Sequence, residues 1–146
     1  MARPEGTKYI KTPDLMWEYF CEFRTYKKLN PILVVDFVGK DATKVLRPHQ
    51  RPLTLEGFSS WLFENDITSN VHDYFTNKNN KYSDYSNICR VIKEIIRTDQ
   101  IEGGMVGIYN PSITQRLNSL TDNSEVKYTG KLITVIPPQS KIKESE

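Results

Sequence analysis

Histidine and cysteine are scarce in this chain, which has two of each among 146 residues. His49 and His72 have no further histidine or cysteine at ligand spacing, so we expect no metal site. Cys21 and Cys89 lie far apart within predicted helices, which favours buried free thiols in a reducing compartment over a disulfide framework. No apolar run reaches the ~18 residues of a membrane span, and the N-terminus has no apolar export segment. These absences predict a soluble intracellular protein.

Recognisable catalytic motifs are also missing. Gly39-Lys40 has the Gly-Lys pair of a phosphate loop, but no glycine precedes it at the required spacing and no serine or threonine follows. We interpret it as a hairpin turn. The acidic residues are scattered, and no nucleophile stands at a suggestive distance from a base. The sequence therefore predicts no enzyme, no catalytic residue and no cofactor.

The net charge of +2 is too small to indicate nucleic-acid binding by itself, but the charge is unevenly distributed. Residues 1–52 carry ten lysines and arginines against six acids, whereas residues 53–75 carry four acids and no basic residue. From residue 76 onwards, ten basic residues face eight acids. The positive charge is therefore concentrated before an acidic central stretch.

The first half of the chain predicts a helix and then a hairpin. Thr12-Pro13-Asp14 is typical of a helix start, aromatic residues follow at helical spacing, and Asn30-Pro31 ends the pattern. Two β-branched runs at 32–38 and 43–48 flank a turn that contains Gly39, which favours an antiparallel hairpin.

The acidic stretch has the outline of a helix-turn-helix. Thr54 can cap a helix that runs to about Phe63, and Asp66 or Thr68 can cap a second helix that runs to about Asn77. A small helical bundle with a corner between two helices explains the pattern equally well. In a helix-turn-helix the second helix meets base edges with short polar side chains, which here are Ser69, Asn70, His72 and Asn77. Phosphate contacts would then come from flanking basic residues, each of which is also explained as ordinary surface charge: Lys8, Lys11, Arg24, Lys27, Lys28, Lys78 and Lys81.

A longer helix should open at Ser83 or Ser86, with an apolar stripe formed by Ile88, Ile92, Ile95 and Ile96. Gly103-Gly104, followed by Gly107, either ends this helix or lets it approach a neighbouring backbone closely. Asn110-Pro111 then predicts a last helix that ends near Asp122.

The tail at 125–138 is rich in β-branched residues and predicts one strand, or a pair bent at Gly130. A strand must pair its backbone groups. It either docks on the 32–48 hairpin or pairs with the same segment of neighbouring subunits, and we favour the second arrangement, which would close a barrel. Residues 139–146 are expected to be a disordered tail.

The order of these elements resembles that of the small terminase subunits of tailed bacteriophages, which recognise DNA for packaging. The opening helix TPDLMWEYFCEFRTYKKLNP is similar to theirs, and RPLTLEGFSSWLF resembles their short β insertion followed by a T-x-x-G-(L/F) helix. The stretch YSDYSNICRVIKEIIRTDQIEGGMVGIYNPSITQRLNSLTDNSEV is the most telling, since it matches a long helix, a small-residue patch and an Asn-led helix. The resemblance covers about residues 8–126. Some relatives bind DNA through a strongly basic tail, whereas the tail KIKESE here is balanced.

The resemblance implies a mainly α-helical chain in four parts: an N-terminal helix-turn-helix domain (1–82) with the hairpin at about 32–48, a central helical oligomerisation domain (83–122), a C-terminal strand segment (123–138) in an intersubunit barrel, and the tail (139–146). The subunit contacts would involve Ile88, Ile92, Ile95, Ile96, Gly103, Gly104, Gly107, Leu132 and Val135.

The implied function is that of a non-catalytic ring oligomer in the cytoplasm of a host bacterium, absent from the mature virion. Such a ring binds double-stranded viral DNA at a packaging site and regulates the ATPase and nuclease of the large terminase subunit. Two alternatives are a dimeric helix-turn-helix regulator of transcription and an assembly or adaptor protein that never touches DNA.

Overall fold

The computed structural model describes residues 10–120, which form a mainly helical fold with one two-stranded hairpin. The strands are β1 (Ile32–Val38) and β2 (Thr43–His49). The helices are α1 (Pro13–Leu29), α2 (Leu55–Glu64), α3 (Val71–Phe75), α4 (Ser86–Met105) and α5 (Pro111–Leu117), with single 3₁₀ turns at Lys78–Asn80 and Ser83–Tyr85. The predicted C-terminal strand and tail lie outside the described residues.

Helix α1 has the bounds that its sequence predicts. Thr12 Oγ1 accepts a hydrogen bond from Leu15 N at 3.1 Å, which satisfies one of the free amides of the first turn. At the other end, Asn30 Nδ2 donates to Tyr26 O at 2.8 Å, and Pro31 follows. The apolar stripe predicted for α1 supplies Met16, Phe20 and Phe23 to the core.

The predicted hairpin is confirmed, with β1 and β2 paired antiparallel so that Val35 lies opposite Leu46. Its turn begins at Gly39, whose φ of +77° is easily adopted only by glycine. An ion pair joins Asp36 to Arg47 across the strands. Six large apolar side chains of the hairpin are nevertheless exposed, namely Ile32, Leu33, Val34, Val35, Phe37 and Leu46. The hairpin is therefore a sheet whose apolar side chains remain at the surface of residues 10–120.

Helix α2 begins as predicted, because Thr54 Oγ1 accepts a hydrogen bond from Gly57 N at 2.9 Å. The prediction for the next helix is wrong in its cap and in its length. Asp66 has a left-handed φ of +54° and lies in the turn, while Thr68 Oγ1 accepts from Asn70 N without capping the helix. Helix α3 is only five residues long. It stops before Asn77, whose φ of +49° takes the backbone out of the helical region.

Helix α4 runs through Gly103 and Gly104, which lie in its last turn, and ends at Met105. A Cβ atom on Gly103 would lie 2.2 Å from the Tyr109 ring, and one on Gly104 would lie 2.8 Å from Thr114 Cγ2. The pair therefore serves close packing, and the packing partners belong to the same chain. The reversal after the helix falls at Gly107, which has a left-handed φ of +75°.

Helix α5 begins at the predicted place, because Asn110 Oδ1 accepts hydrogen bonds from Ser112 N at 3.0 Å and Ile113 N at 3.2 Å. It ends at Leu117, earlier than the predicted end near Asp122. Ser119 has a left-handed φ of +53°, which is incompatible with a continuing helix.

One apolar core joins α1 to α4. Phe58 of α2 packs between two rings of α1, with ring centroids 5.4 Å from Phe20 and 5.3 Å from Phe23. The same core continues into α4 through Cys89, Ile92 and Ile96. The predicted division at residue 82 thus runs through elements that share a core, and it stays a prediction.

Candidate nucleic-acid interface

The chain segment before α1 is fastened beside α3. Ile10 is fully buried, its N–H donates to Tyr74 Oη at 2.8 Å, and its carbonyl accepts from Tyr85 Oη at 2.6 Å. Tyr74 belongs to α3 and Tyr85 directly precedes α4. Burial and the neighbouring Tyr74, Asp84 and Tyr82 raise the pKa of Tyr85 to about 12, so it stays a hydrogen-bond donor at neutral pH. This anchor brings the exposed Lys11 to the α3 side of the molecule.

The loop after α3 is held in shape by Asn77. Its Oδ1 accepts a hydrogen bond from Tyr82 N at 2.8 Å, and its Nδ2 donates to Ser83 Oγ at 3.2 Å. Asn77 was predicted to contact bases, but its amide spans the loop instead. Lys78 and Lys81, which were predicted to contact phosphates, are exposed on this loop.

The other predicted base-contacting residues also lie in this region. Ser69, Asn70 and His72 are exposed at the start of α3. Helix α3 is about 7 Å long at 1.5 Å per residue, so only its first turn can present side chains to a groove. The acid of α3, Asp73, lies 3.4 Å from Lys78 Nζ.

A row of basic residues on α4 faces α3, and the sequence analysis did not select it. Arg90, Lys93 and Arg97 line a cleft of about 330 Å³ together with Phe75 and Asn77. Lys93 Nζ lies 5.6 Å from the centroid of the Phe75 ring. The spacing i, i+3, i+7 places the three cations on one face of α4, and that spacing is a signal that could have found them. We call Arg90, Lys93 and Arg97 the α4 basic row.

Parts of the α4 basic row are engaged within the chain. Arg90 forms an exposed ion pair with Glu94, and Arg97 Nη1 donates to Asn118 O at 2.9 Å. Exposed pairs of this kind contribute only about 0–1 kcal/mol. A phosphate can therefore compete with Glu94 for Arg90.

The predicted cations of α1 lie near its C-terminal end. Arg24 and Lys27 lie in the last two turns of α1, and Lys27 Nζ is 5.6 Å from the Phe23 ring centroid. The axial distance along α1 from Pro13 to Lys27 is about 20 Å. Lys27 and Lys11 therefore lie too far apart to contact the same phosphate, while Arg24 lines a cleft with Glu94 and Thr98 of α4.

Lys28 is engaged inside the chain. Its Nζ donates to Asp99 Oδ1 at 2.5 Å, to Tyr109 Oη at 2.9 Å and to Arg51 O at 3.3 Å. Its three ammonium hydrogens therefore all have acceptors. Burial lowers the pKa of Lys28, but the hydrogen bonds and charge of Asp99, together with Tyr109, outweigh burial and hold it above the ordinary value. A phosphate would have to displace these partners, so contact of Lys28 with DNA stays a prediction without structural support.

The predicted oligomerisation residues divide by burial. Ile92 and Ile96 lie in the core of the single chain, whereas Ile88 and Ile95 are half-buried. Gly103 and Gly104 pack closely against Tyr109 and Thr114 of the same chain. Subunit contacts through these positions stay a prediction, and Lys8, Leu132 and Val135 lie outside the described residues.

Residues 10–120 contain no group of three or more histidine, cysteine or acidic side chains that could hold a metal ion. Each helix between these residues is too short or too polar to span a bilayer. Cys21 and Cys89 are free thiols, and burial raises the pKa of Cys89 to about 11.

Comparison with known proteins identifies no relative, since no protein-family model matches the chain and neither does any curated protein.

Proposed function

We propose that this chain is a DNA-packaging recognition subunit of the small-terminase type. Copies of it assemble into a ring in the host bacterial cytoplasm, bind double-stranded viral DNA and deliver it to a large subunit that carries the ATPase and nuclease. The chain itself contributes no catalytic residue. The resemblance of residues 8–126 to that family supports the proposal.

We infer DNA binding from the basic side chains on the elements next to α3. Lys11 comes from the segment before α1, Lys78 and Lys81 come from the loop after α3, and the α4 basic row completes the set. These residues are distant in sequence, yet their elements adjoin a short helix with exposed polar side chains. Phosphate neutralisation by such cations supplies most nonspecific affinity for DNA.

The acidic composition of residues 53–75 is compatible with this interface. Three of the four acids, Glu56, Glu64 and Asp66, lie on α2 and its following turn, and the fourth, Asp73, is paired with Lys78. The cations approach α3 from its other neighbours, α4 and the 78–81 loop. A ring that engages several copies at once raises the total affinity without any new contact within a copy.

The test is the salt dependence of binding to a fluorescent duplex for Lys93→Gln and for Lys40→Gln. Both substitutions remove one exposed positive charge, but Lys40 lies at the hairpin turn. We expect Lys93→Gln to reduce the slope of log K against log salt by about 0.9 per engaged copy, and Lys40→Gln to leave it unchanged. Equal effects of the two variants, or no DNA binding by the wild-type chain, would contradict the proposal.

Delivery to the motor is tested separately, by the ATPase rate of the large subunit with and without this chain. We expect the rate to change when this chain and DNA are both present.

A further inference from the structure

The cleft between α3 and α4 has an aromatic side chain in its lining. Phe75, the last residue of α3, is half-buried and lines the cleft beside the buried Cys89 of α4. The volume of the cleft is about 330 Å³. Since a cavity of about 150 Å³ can hold a benzene ring, this cleft has room for a single nucleobase with part of its sugar. We call it the α3–α4 cleft.

The α4 wall of this cleft is positively charged. The α4 basic row supplies three cations, spread over about 10 Å of helix axis. Glu94 is the one carboxylate that residues 10–120 bring to the lining, and it pairs with Arg90 at 2.6 Å. Within the same range no acidic side chain pairs with Lys93 or Arg97. These two cations are therefore available to an anionic ligand.

Lys93 covers part of the Phe75 ring, and a nucleobase can replace it there. Lys93 Nζ lies 5.6 Å from the ring centroid, on an exposed side chain. An exposed cation–π contact stabilises less than the stacking of a nucleobase on an aromatic side chain. A base that displaces Lys93 from the ring also releases its ammonium group, which can then bind the phosphate of the same nucleotide.

A duplex cannot fill this cleft, because its bases are stacked on one another and present only their edges in the grooves. The surface of α3 that could read such edges is also small, since the helix is five residues long and the Asn77 amide is engaged in the loop. An aromatic side chain beside a row of cations is instead the combination that binds single strands. Bases stack on the ring there, and the cations follow the backbone.

We propose that the α3–α4 cleft binds one nucleotide of a single-stranded DNA segment, with its base stacked on Phe75 and its phosphates on Lys93 and Arg97. This adds a second mode of binding to the row of cations that contacts duplex phosphates in the proposed function. The inference rests on that function in taking the nucleic acid to be DNA, but it requires neither a ring nor a large subunit. A free nucleotide has the same chemistry, so the experiment separates the two sources.

The test measures the affinity of the full chain for a fluorescent oligothymidine of about 12 nucleotides. Phe75→Leu keeps an apolar side chain but removes the ring, so we expect it to weaken single-strand binding about tenfold. Phe75→Tyr keeps the ring and should bind the strand like the wild type. Both variants should bind a duplex as the wild type does. Phe63→Leu is the matched control, since Phe63 is 66% exposed on α2 and its loss should leave single-strand binding unchanged.

A second probe changes the ligand and leaves the protein intact. An abasic strand of the same length keeps every phosphate and lacks the bases. We expect the wild-type chain to bind it about tenfold more weakly than the oligothymidine, and Phe75→Leu to bind the two strands equally. Because Phe75 packs against the core, Phe75→Leu could fail to fold, and the comparison of the two strands on the wild-type chain then decides the question.

The outcomes separate this inference from the proposed function. A wild-type chain that binds duplex, and binds the abasic strand as tightly as the oligothymidine, would overturn the inference and leave the proposed function intact. Single-strand binding that depends on Phe75, without any duplex binding, would support the inference and overturn the proposed function. Thymidine triphosphate that competes as effectively as the strand would assign the cleft to free nucleotides and overturn the single-strand assignment. A chain that binds neither form of DNA would overturn both proposals.

Discussion

Lys28 Nζ lies 2.5 Å from Asp99 Oδ1 and joins the last turn of α1 to the fourth turn of α4, across 71 positions of sequence. The second carboxylate oxygen of Asp99 accepts a hydrogen bond from Leu53 N at 2.9 Å and lies 3.2 Å from Tyr109 Oη. The carboxylate therefore fixes α1, the connector before α2 and the turn before α5 in one place.

Asp99→Asn should destabilise the chain, because it removes the charge that compensates a partly buried ammonium. We expect a loss of about 1–3 kcal/mol in the free energy of unfolding, measured by urea denaturation. Glu94→Gln is the control, since it breaks an exposed pair with Arg90 and should change stability by less than about 1 kcal/mol. Equal stability of the two variants would show that Asp99 has no special role.

Lys28→Gln should change stability and not DNA binding, whereas Lys81→Gln should change DNA binding and not stability. Lys28 is bound inside the chain, so its loss should lower stability and leave the salt slope of DNA binding unchanged. Lys81 is exposed on the loop after α3, so its loss should reduce that slope by about 0.9 per engaged copy and leave stability within about 0.5 kcal/mol. If Lys28→Gln reduced the salt slope and left stability unchanged, the result would indicate that Lys28 contacts DNA.

Gly103→Ala should destabilise the fold although alanine is the better helix former. The new methyl group would meet the Tyr109 ring at 2.2 Å, and overpacking of this kind costs about 1–3 kcal/mol, against a gain of about 1 kcal/mol in helix propensity. Thermal unfolding measures the difference. In a chain that already carries Tyr109→Ala, the added Gly103→Ala should cost less stability than it does in the wild type. A Gly103→Ala chain that is more stable than the wild type would contradict the observed packing.

Ionisation of Tyr85 should lower the stability of the folded chain at alkaline pH. An unfolded tyrosine ionises near pH 10, whereas the folded pKa of Tyr85 is about 12. Between these values the folded chain binds more protons than the unfolded one, so the free energy of unfolding decreases as pH rises. Tyr85→Phe should be less stable at pH 8, because the bond to Ile10 is lost, but its stability should decline less steeply above pH 10. Parallel pH profiles for the two chains would refute this assignment.

The sequence predicts the elements whose signals are local. The caps at Thr12, Thr54 and Asn110 act within three residues, and the hairpin follows from β-branched runs around Gly39. The length of α3 was missed because successive asparagines adopt left-handed backbone, which composition alone does not specify.

The candidate site was only partly predictable, because its contacts join distant positions. Lys28 has the same local pattern as Lys27, and only the fold reveals Asp99 beside it. The α4 basic row was visible as a spacing, but its nearness to α3 depends on how two helices pack. The glycines of α4 allowed either a helix end or close packing, and only the fold shows that they pack against Tyr109 and Thr114.

The central claim is that this chain works as a closed ring, and a native mass spectrum of the full-length chain tests it most directly. We predict one dominant species that contains at least three copies of the 17.0 kDa chain. Its mass should stay the same as the protein concentration rises. A monomer or a dimer at all concentrations would contradict the ring, and a dimer would favour a helix-turn-helix regulator instead.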